Sequence, residues 1–203
     1  MTADAHSDAP AGTLPPTPSH TVGPFYGYAL PFPGGGDLAP AGHPESVTVH
    51  GYVLDGAGAP VPDALVELWQ TGPDGGLPRV PGAMRRDPVT GGFLGRDGVD
   101  FTGWGRIPTD ADGHWTARTL LPGARGGHAP HIAVCVFARG LLHHLFTRIY
   151  FPRHTRAHGD DPLLASLAPE RRETLVAAAE PHGRYRFDIR LQGERETVFL
   201  DFH

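Results

Sequence analysis

The stretch VTVHGYVLDGAGAPVPDALVELWQ (residues 47–70) shows the clearest structural pattern in the chain. Valines at positions 47, 49 and 53 share one face of its first half, an alternation that is typical of a half-buried β-strand. The run GAGAPVP then supplies turn residues, and ALVELWQ (residues 64–70) predicts a second strand. The stretch therefore predicts two successive β-strands joined by a turn.

Further strand pairs follow along the chain. Residues 104–123 predict two strands joined across Asp110–Gly113, because Asp-Gly is typical of a hairpin turn. Residues 131–140 and 143–151 predict an antiparallel pair across a tight turn. The segments YRFDIRLQG and ETVFLDF predict a last pair that closes the chain.

One helical region interrupts the strands. Residues 72–100 have no sustained period and predict a long excursion. Asp161 followed by Pro162 predicts an N-cap and the first position of a short helical turn that runs through Leu167. PERRETLVAAAE (residues 169–180) predicts a further helix. About eight strands with this short helical excursion before the last hairpin predict a mainly β fold, a β-sandwich.

The composition is that of a soluble globular protein. The chain has 203 residues, with 39% hydrophobic and 19% charged, and its net charge of −5 argues against nucleic-acid binding. No apolar window is long enough to span a bilayer, and a single cysteine, Cys135, fits a reducing cytoplasm. Residues 1–20 are small, polar and rich in proline, which predicts a flexible arm before a single domain, residues 21–203. We therefore expect a cytoplasmic protein with neither nucleic-acid nor membrane partners.

The strand that begins at His131 raises the question of a metal site. Residues i and i+2 share a face of a strand, so a His-x-His pair would aim two imidazoles at one ion. Here the face carries His131, Ala133, Cys135 and Phe137, and alanine has no ligating atom. His128 lies in a loop, without a regular backbone to aim it beside His131. The residues alone therefore predict no complete metal or catalytic set.

Two other features point to a small-molecule pocket. Thr21, Gly23 and Pro24 lie in an irregular segment, TVGPFYGY, that could line such a pocket, although an ordinary turn explains Gly23 and Pro24 equally well. Arg139 ends an apolar strand, where its guanidinium could grip a carboxylate bidentately. A simple salt bridge at the strand end is the alternative explanation for Arg139.

Several runs together resemble one family of enzymes. PTPSHTVGPFY (16–26), the stretch 47–70, FTGWGRIPTDADGHWTARTLLPG (101–123), APHIAVCVFARG (129–140) and residues 171–202 are similar, in order, to the intradiol ring-cleavage dioxygenases. The resemblance covers nearly everything from about residue 14 onward. It implies the family's fold and its chemistry, in which non-haem Fe(III), held by two tyrosines and two histidines, supports O2-dependent opening of a catechol ring.

The family's ligand set is incomplete when it is laid on this chain. His131 matches the first histidine, but Ala133 stands at the second. Phe93 falls near the position of the upstream tyrosine, and the loop 124–130 contains no tyrosine. The resemblance therefore implies that this chain binds no metal itself.

The same departure is found in the family's alpha subunits, which pair with homologous, iron-bearing beta subunits in large alternating hetero-oligomers. By this resemblance Fe(III) belongs to the beta subunit, and Thr21, Gly23, Pro24 and Arg139 face its substrate pocket. The substrate implied is protocatechuate, which O2 cleaves to 3-carboxy-cis,cis-muconate in aromatic catabolism. Arg139 would hold the substrate carboxylate or favour anionic substrate in the pocket.

Two alternatives stay open. Residues 51–68 and 109–123 also resemble transthyretin-like domains, so the chain could be a non-catalytic β-sandwich binding module. A weaker alternative is a self-sufficient iron dioxygenase that uses unexpected ligands.

Overall fold

Strand β1 (Val47–Leu54) is central in the first sheet because both of its edges are paired. In the computed structural model, which describes residues 26–79 and 84–202, one edge runs antiparallel to β6 (His114–Thr119). The other edge pairs in parallel with β10 (Arg184–Arg186) and then with β11 (Ile189–Arg190). β9 (Ala178–Glu180) continues the sheet beyond β10 in the antiparallel direction.

Gly51 allows β1 to pair with β10 and β11 in succession. The segment that links those two strands stays close to the same edge of β1, where the Phe187 N–H donates to the His50 carbonyl at 2.7 Å. A Cβ on Gly51 would lie 1.8 Å from the Phe187 carbonyl oxygen, far inside van der Waals contact. A side chain at this position would therefore push the two parallel strands away from β1.

The second sheet is antiparallel throughout. Its strand order is β5 (Trp104–Pro108), β2 (Leu65–Gln70), β7 (His131–Phe137) and β8 (Leu145–Tyr150). The predicted pair 131–140 and 143–151 is confirmed, and so are the two strands predicted within residues 47–70.

Alternation along β7 divides its side chains between two environments. Ile132, Val134 and Val136 are almost fully buried in the main core, whereas His131, Ala133, Cys135 and Phe137 share the opposite face, as predicted. The core lies between the two sheets, since the same cluster contains Val49 and Trp115 of the first sheet. Burial of each such aliphatic side chain stabilises the fold by about 1.5–3 kcal/mol.

The remaining elements are short. They are the two-stranded sheet of β3 (Met84–Arg86) and β4 (Phe93–Arg96), the helices α1 (Tyr26–Ala29), α2 (Thr155–His158), α3 (Pro162–Ser166) and α4 (Pro169–Glu173), and a 3-10 turn, Pro152–His154. Across residues 26–79 and 84–202, none of the helices has the length and apolar character needed to cross a membrane. The expectation of about eight strands undercounts the short ones, but the mainly β architecture is confirmed.

The turn at Asp110–Gly113 joins the two sheets, and this corrects the expectation of a hairpin. The tight turn is present, with the Gly113 N–H donating to the Asp110 carbonyl at 3.0 Å and Gly113 at a φ of 73°. The strands that it connects nevertheless pair elsewhere, β5 with β2 and β6 with β1. An Asp-Gly turn reverses the chain locally but does not decide which neighbour each strand will find.

Two predictions for the C-terminal part were wrong. The helix expected over 169–180 ends at Glu173, because the backbone of the next residues bonds to β8: the Ala177 N–H donates to the Tyr150 carbonyl at 2.9 Å. These tertiary hydrogen bonds override the helical propensity of the alanines. The expected last hairpin does not form, since β10 and β11 pair with β1 and residues 196–202 contain no strand. These residues contact β11 through the Thr197 N–H, which donates to the Arg190 carbonyl at 3.0 Å, and β8 through an isolated bridge from Leu200 to Phe146.

The predicted flexible arm, residues 1–20, lies outside the described residues. The boundary at residue 21 and the single domain over residues 21–203 therefore stay predictions.

Candidate functional site

A cavity of about 370 Å³ opens on the outer face of the second sheet, beside the start of β7. Trp69, Ala133 and Arg148 are direct cross-strand neighbours on β2, β7 and β8, and all three line it. His131, two residues before Ala133 on the same face of β7, also lines the cavity. The loop between β6 and β7 contributes further lining residues. The small side chain of Ala133 leaves open the space between the larger groups.

The imidazole of His131 is fixed in one orientation. Its Nδ1 lies 2.8 Å from the Ala129 carbonyl oxygen, so Nδ1 carries the proton and donates it. Burial lowers the pKa of His131; the Ala129 carbonyl opposes this shift, while the neighbouring Arg148 and His128 add to it. His131 is therefore a neutral imidazole that is tied to its own loop.

His128 lies beside His131, which corrects the expectation that its loop could not aim it. The two rings are 5.9 Å apart and nearly perpendicular. The loop is held because Arg125 and His128 form a bridge, and because the Ala129 N–H donates to the Asp161 carboxylate at 2.9 Å. The sequence carried no local signal for this, since the anchor lies 32 residues further along the chain.

Arg148 brings a positive charge to the same place. Its Nη1 lies 3.1 Å from His128 Nδ1 and 3.2 Å from the Tyr150 hydroxyl oxygen, and it donates to the hydroxyl. Burial raises the pKa of Tyr150 to about 12, so the hydroxyl keeps its proton and donates onward to Asp161 at 3.2 Å. The sequence contains no local signal for Arg148, because only the register of β8 against β7 sets it opposite Ala133.

Asp161 anchors this network from below. It is fully buried, and besides Ala129 and Tyr150 it accepts from the N–H groups of Leu163 and Leu164, which confirms the predicted N-cap. Burial alone would raise the pKa of this carboxyl, but these hydrogen bonds outweigh it and hold the pKa below its usual value. Asp161 is therefore a buried anion that positions the loop and the tyrosine.

Arg139 lies at the other end of β7, about 20 Å from the cavity at 3.3 Å per residue. Its side chain is 73% exposed, and its Nε lies 2.6 Å from Asp63 Oδ2, so the expected salt bridge at the strand end is present. Tyr26 is buried beside this pair. Burial raises the pKa of Tyr26, Asp63 raises it further, and Arg139 opposes the shift.

The other predicted pocket residues, Thr21, Gly23 and Pro24, lie outside the described residues.

Similarity to known proteins identifies the family. A protocatechuate 3,4-dioxygenase alpha chain from Burkholderia cepacia is 42% identical, over 93% of this chain and 98% of its own length. The alpha chain from Pseudomonas putida is 37% identical, over 95% of this chain and 100% of its own. Residues 36–193 match the sequence family described as Dioxygenase. This chain belongs to the intradiol ring-cleavage dioxygenase family.

Solved structures agree with this assignment. The dioxygenase domain of a dioxygenase and carbohydrate-binding protein fusion from Streptomyces sp. SirexAA-E superposes with a TM-score of 0.57 at 28% identity, over 89% of this chain and 100% of that one. An intradiol ring-cleavage dioxygenase from Tetranychus urticae shares the fold, with a TM-score of 0.55 at 19% identity over 78% and 87% of the two chains. The alpha-chain match extends well beyond residues 51–68 and 109–123, on which the transthyretin-like alternative rested.

The residues at the place where the resemblance puts the family's metal do not fit Fe(III). His131 could still offer its Nε2 to a metal, because the Nδ1–H of a metal-binding histidine ordinarily donates to a carbonyl or a carboxylate. Ala133, however, has no donor atom, and the guanidinium of Arg148 puts a cation beside them. Arg125, from the loop in which the resemblance places a tyrosine, lines the same cavity. Phe93, near the position expected for the other tyrosine, is not among the residues that line it and instead packs on Phe32. Within the described ranges, no three His, Cys, Asp or Glu side chains converge as a metal site.

Proposed function

We propose that this chain is the metal-free alpha subunit of a protocatechuate 3,4-dioxygenase. In this proposal a homologous beta subunit holds the Fe(III), and the two chains alternate in a large hetero-oligomer. The assembly cleaves protocatechuate with O2 to 3-carboxy-cis,cis-muconate. The observation that carries the proposal is the 42% identity to an alpha chain over nearly the whole length of both proteins. A beta chain from the same organism, Burkholderia cepacia, is 32% identical, over 75% of this chain and 67% of its own length.

The misfit between the cavity and Fe(III) supports the metal-free part of the proposal. A ferric ion needs anionic oxygen ligands and neutral imidazoles. In this chain the corresponding place holds the imidazoles of His128 and His131, the methyl group of Ala133 and the guanidiniums of Arg125 and Arg148, and no anionic oxygen ligand is among the described lining residues. Bringing a trivalent cation next to Arg148 would cost electrostatic energy that no ligand of this chain repays.

Arg139 is the residue that we propose faces the substrate. Asp63 Oδ2 lies 2.6 Å from the Nε of its guanidinium. A guanidinium carries five N–H donors and can bind a further carboxylate with two parallel hydrogen bonds. Because the side chain is 73% exposed, it can reach across a subunit boundary. Thr21, Gly23 and Pro24 complete this wall of the beta subunit's pocket in the proposal.

The proposal is tested by producing the chain with a beta partner and measuring oxygen uptake with protocatechuate. Replacing Arg139 with alanine removes a charge-assisted pair worth roughly 1.5–3 kcal/mol, so KM should rise about 10- to 100-fold. Activity towards catechol, which lacks the carboxylate, should change far less. Arg156→Ala, at an exposed arginine on α2, is the matched control and should leave both KM values unchanged.

If Arg139→Ala changed neither KM nor the preference for protocatechuate over catechol, the assignment of Arg139 would be wrong. If the chain neither bound a beta chain nor supported oxygen uptake with one, the proposed function itself would be wrong.

A further inference from the structure

We propose that the cavity beside Ala133 is a binding site for a small aromatic carboxylate, which Arg148 holds by its guanidinium. This site lies within the chain itself and is separate from the pocket that Arg139 is proposed to face. Its volume of about 370 Å³ is within the range of small-molecule pockets, which starts near 300 Å³.

The donors of Arg148 are only partly used. Nη1 bonds to His128 and Tyr150, whereas Nε and Nη2 make no hydrogen bond within the described part of the chain. Among those residues no Asp or Glu lies within ion-pair distance of Arg148, while arginines 106, 118, 139, 184 and 186 each have a carboxylate partner. Asp161 is reached through the Tyr150 hydroxyl and through His128, whose Nδ1 lies 3.4 Å from Asp161 Oδ2. The guanidinium therefore presents unused donors to the cavity.

The guanidinium is also held in place. Tyr150 is fully buried, and its hydroxyl donates to Asp161 and accepts from Arg148 Nη1. The order of donors from Arg148 to Tyr150 to Asp161 fixes where the charge lies before any ligand arrives. A pre-positioned guanidinium loses little conformational entropy when it binds, which favours affinity.

The charge of the lining is one-sided. Arg125 and Arg148 both line the cavity, and no Asp or Glu is among the described lining residues; the Asp161 carboxylate lies behind the lining, 3.4 Å from His128 Nδ1. The chain as a whole carries a net charge of −5, so this region has the opposite sign to the protein average. A site of this kind attracts anions and repels cations.

The apolar side chains in the other walls favour a ligand with a flat, apolar ring. Trp69 is 59% exposed and Leu77 is 57% exposed, which is unusual for such large apolar side chains, and both line the cavity. An indole can stack against an aromatic ring while the guanidinium takes the carboxylate. Inorganic phosphate could bind to the guanidinium but has no ring to stack on the indole. The combination therefore favours an aromatic carboxylate over a simple anion.

The test counts binding sites for 4-bromobenzoate by equilibrium titration of the protein with the partner chain that co-purifies with it. We expect the wild type to bind one more equivalent per copy of this chain than Arg148→Gln does. A second variant, Ala133→Leu, keeps the charge but fills the cavity, and it should lose the same equivalent. Arg156→Gln is the matched control, and it should retain the full stoichiometry.

Bromine gives an independent readout, since crystals soaked with the probe should show an anomalous peak between Arg148 and Trp69. Equal stoichiometry in the wild type and both cavity variants would overturn the proposal. Displacement of the probe by inorganic phosphate at similar concentration would overturn its aromatic part. None of these measurements uses ring cleavage, so they can fail while the proposed function stands, and the reverse also holds.

Discussion

Replacing Asp161 with alanine removes the anion on which the loop before β7, the start of α3 and Tyr150 all depend. The carboxylate is fully buried and accepts from the N–H groups of Ala129 at 2.9 Å, Leu163 at 2.9 Å and Leu164 at 3.1 Å. It also accepts from the Tyr150 hydroxyl at 3.2 Å. Alanine leaves these buried donors without an acceptor.

The expected cost follows from those contacts. Loss of an N-cap acceptor costs about 1 kcal/mol, and each further buried donor that is left unpaired costs about 1–3 kcal/mol. Water can reach the part-buried Leu163 N–H, so we expect the free energy of unfolding to fall by about 3–5 kcal/mol in total. For a domain of this size that corresponds to a fall in Tm of roughly 6–20 °C.

Tryptophan fluorescence during urea and thermal unfolding measures this loss. Asp160→Ala is the matched control, because Asp160 is the adjacent residue, carries the same charge and is exposed, so its free energy of unfolding should change by less than about 0.5 kcal/mol. A loss below about 1 kcal/mol in Asp161→Ala would refute the argument that this carboxylate anchors the loop.

Two further predictions concern titration and reactivity. Burial, helped by Arg148 and His128, lowers the pKa of His131 from its ordinary value of 6.5, so at a pH near or below 6.5 the unfolded chain binds more protons than the folded chain. The free energy of unfolding should therefore fall as the pH drops from about 7.5 to about 5.5. In urea unfolding, His131→Gln should show a weaker dependence on pH. Burial, with Glu67 nearby, raises the pKa of Cys135 to about 12. Ellman's reagent should therefore leave the thiol of the folded protein unmodified at about pH 8 and react with it fully in denaturant. Rapid labelling of the folded protein would contradict this prediction.

The parts of the fold that could be predicted from the sequence are those with a local cause. The alternation in residues 47–54 and 131–137 comes from the two-residue period of a strand, and the outward face of His131, Ala133, Cys135 and Phe137 follows from it. The N-cap at Asp161 is equally local, because a carboxylate followed by proline suits the first turn of a helix.

The parts that could not be predicted depend on contacts between distant segments. Residues 174–180 have helical composition, but the carbonyl of Tyr150 captures the backbone of Ala177. β10 and β11 join β1 in parallel rather than forming a hairpin with the residues that follow them. Such pairings have no signature in the segment itself.

The same distinction applies to the candidate site. The absence of a second histidine could be recognised from the sequence, because residues two apart share a face of a strand and Ala133 is the residue that shares the face of His131. The positive charge beside Ala133 could not be predicted, because it is the register between β7 and β8 that sets Arg148 opposite Ala133. The position of His128 likewise could not be predicted, because Asp161, which holds its loop, lies 32 residues beyond Ala129.

Iron content is the most direct test of the central claim, which is that this chain supplies no ligand set for Fe(III). Metal analysis of the complex with the proposed beta partner should find one iron per pair of chains, and this chain purified alone should retain none after dialysis. Two irons per pair, or one tightly held iron in the separated chain, would contradict the account.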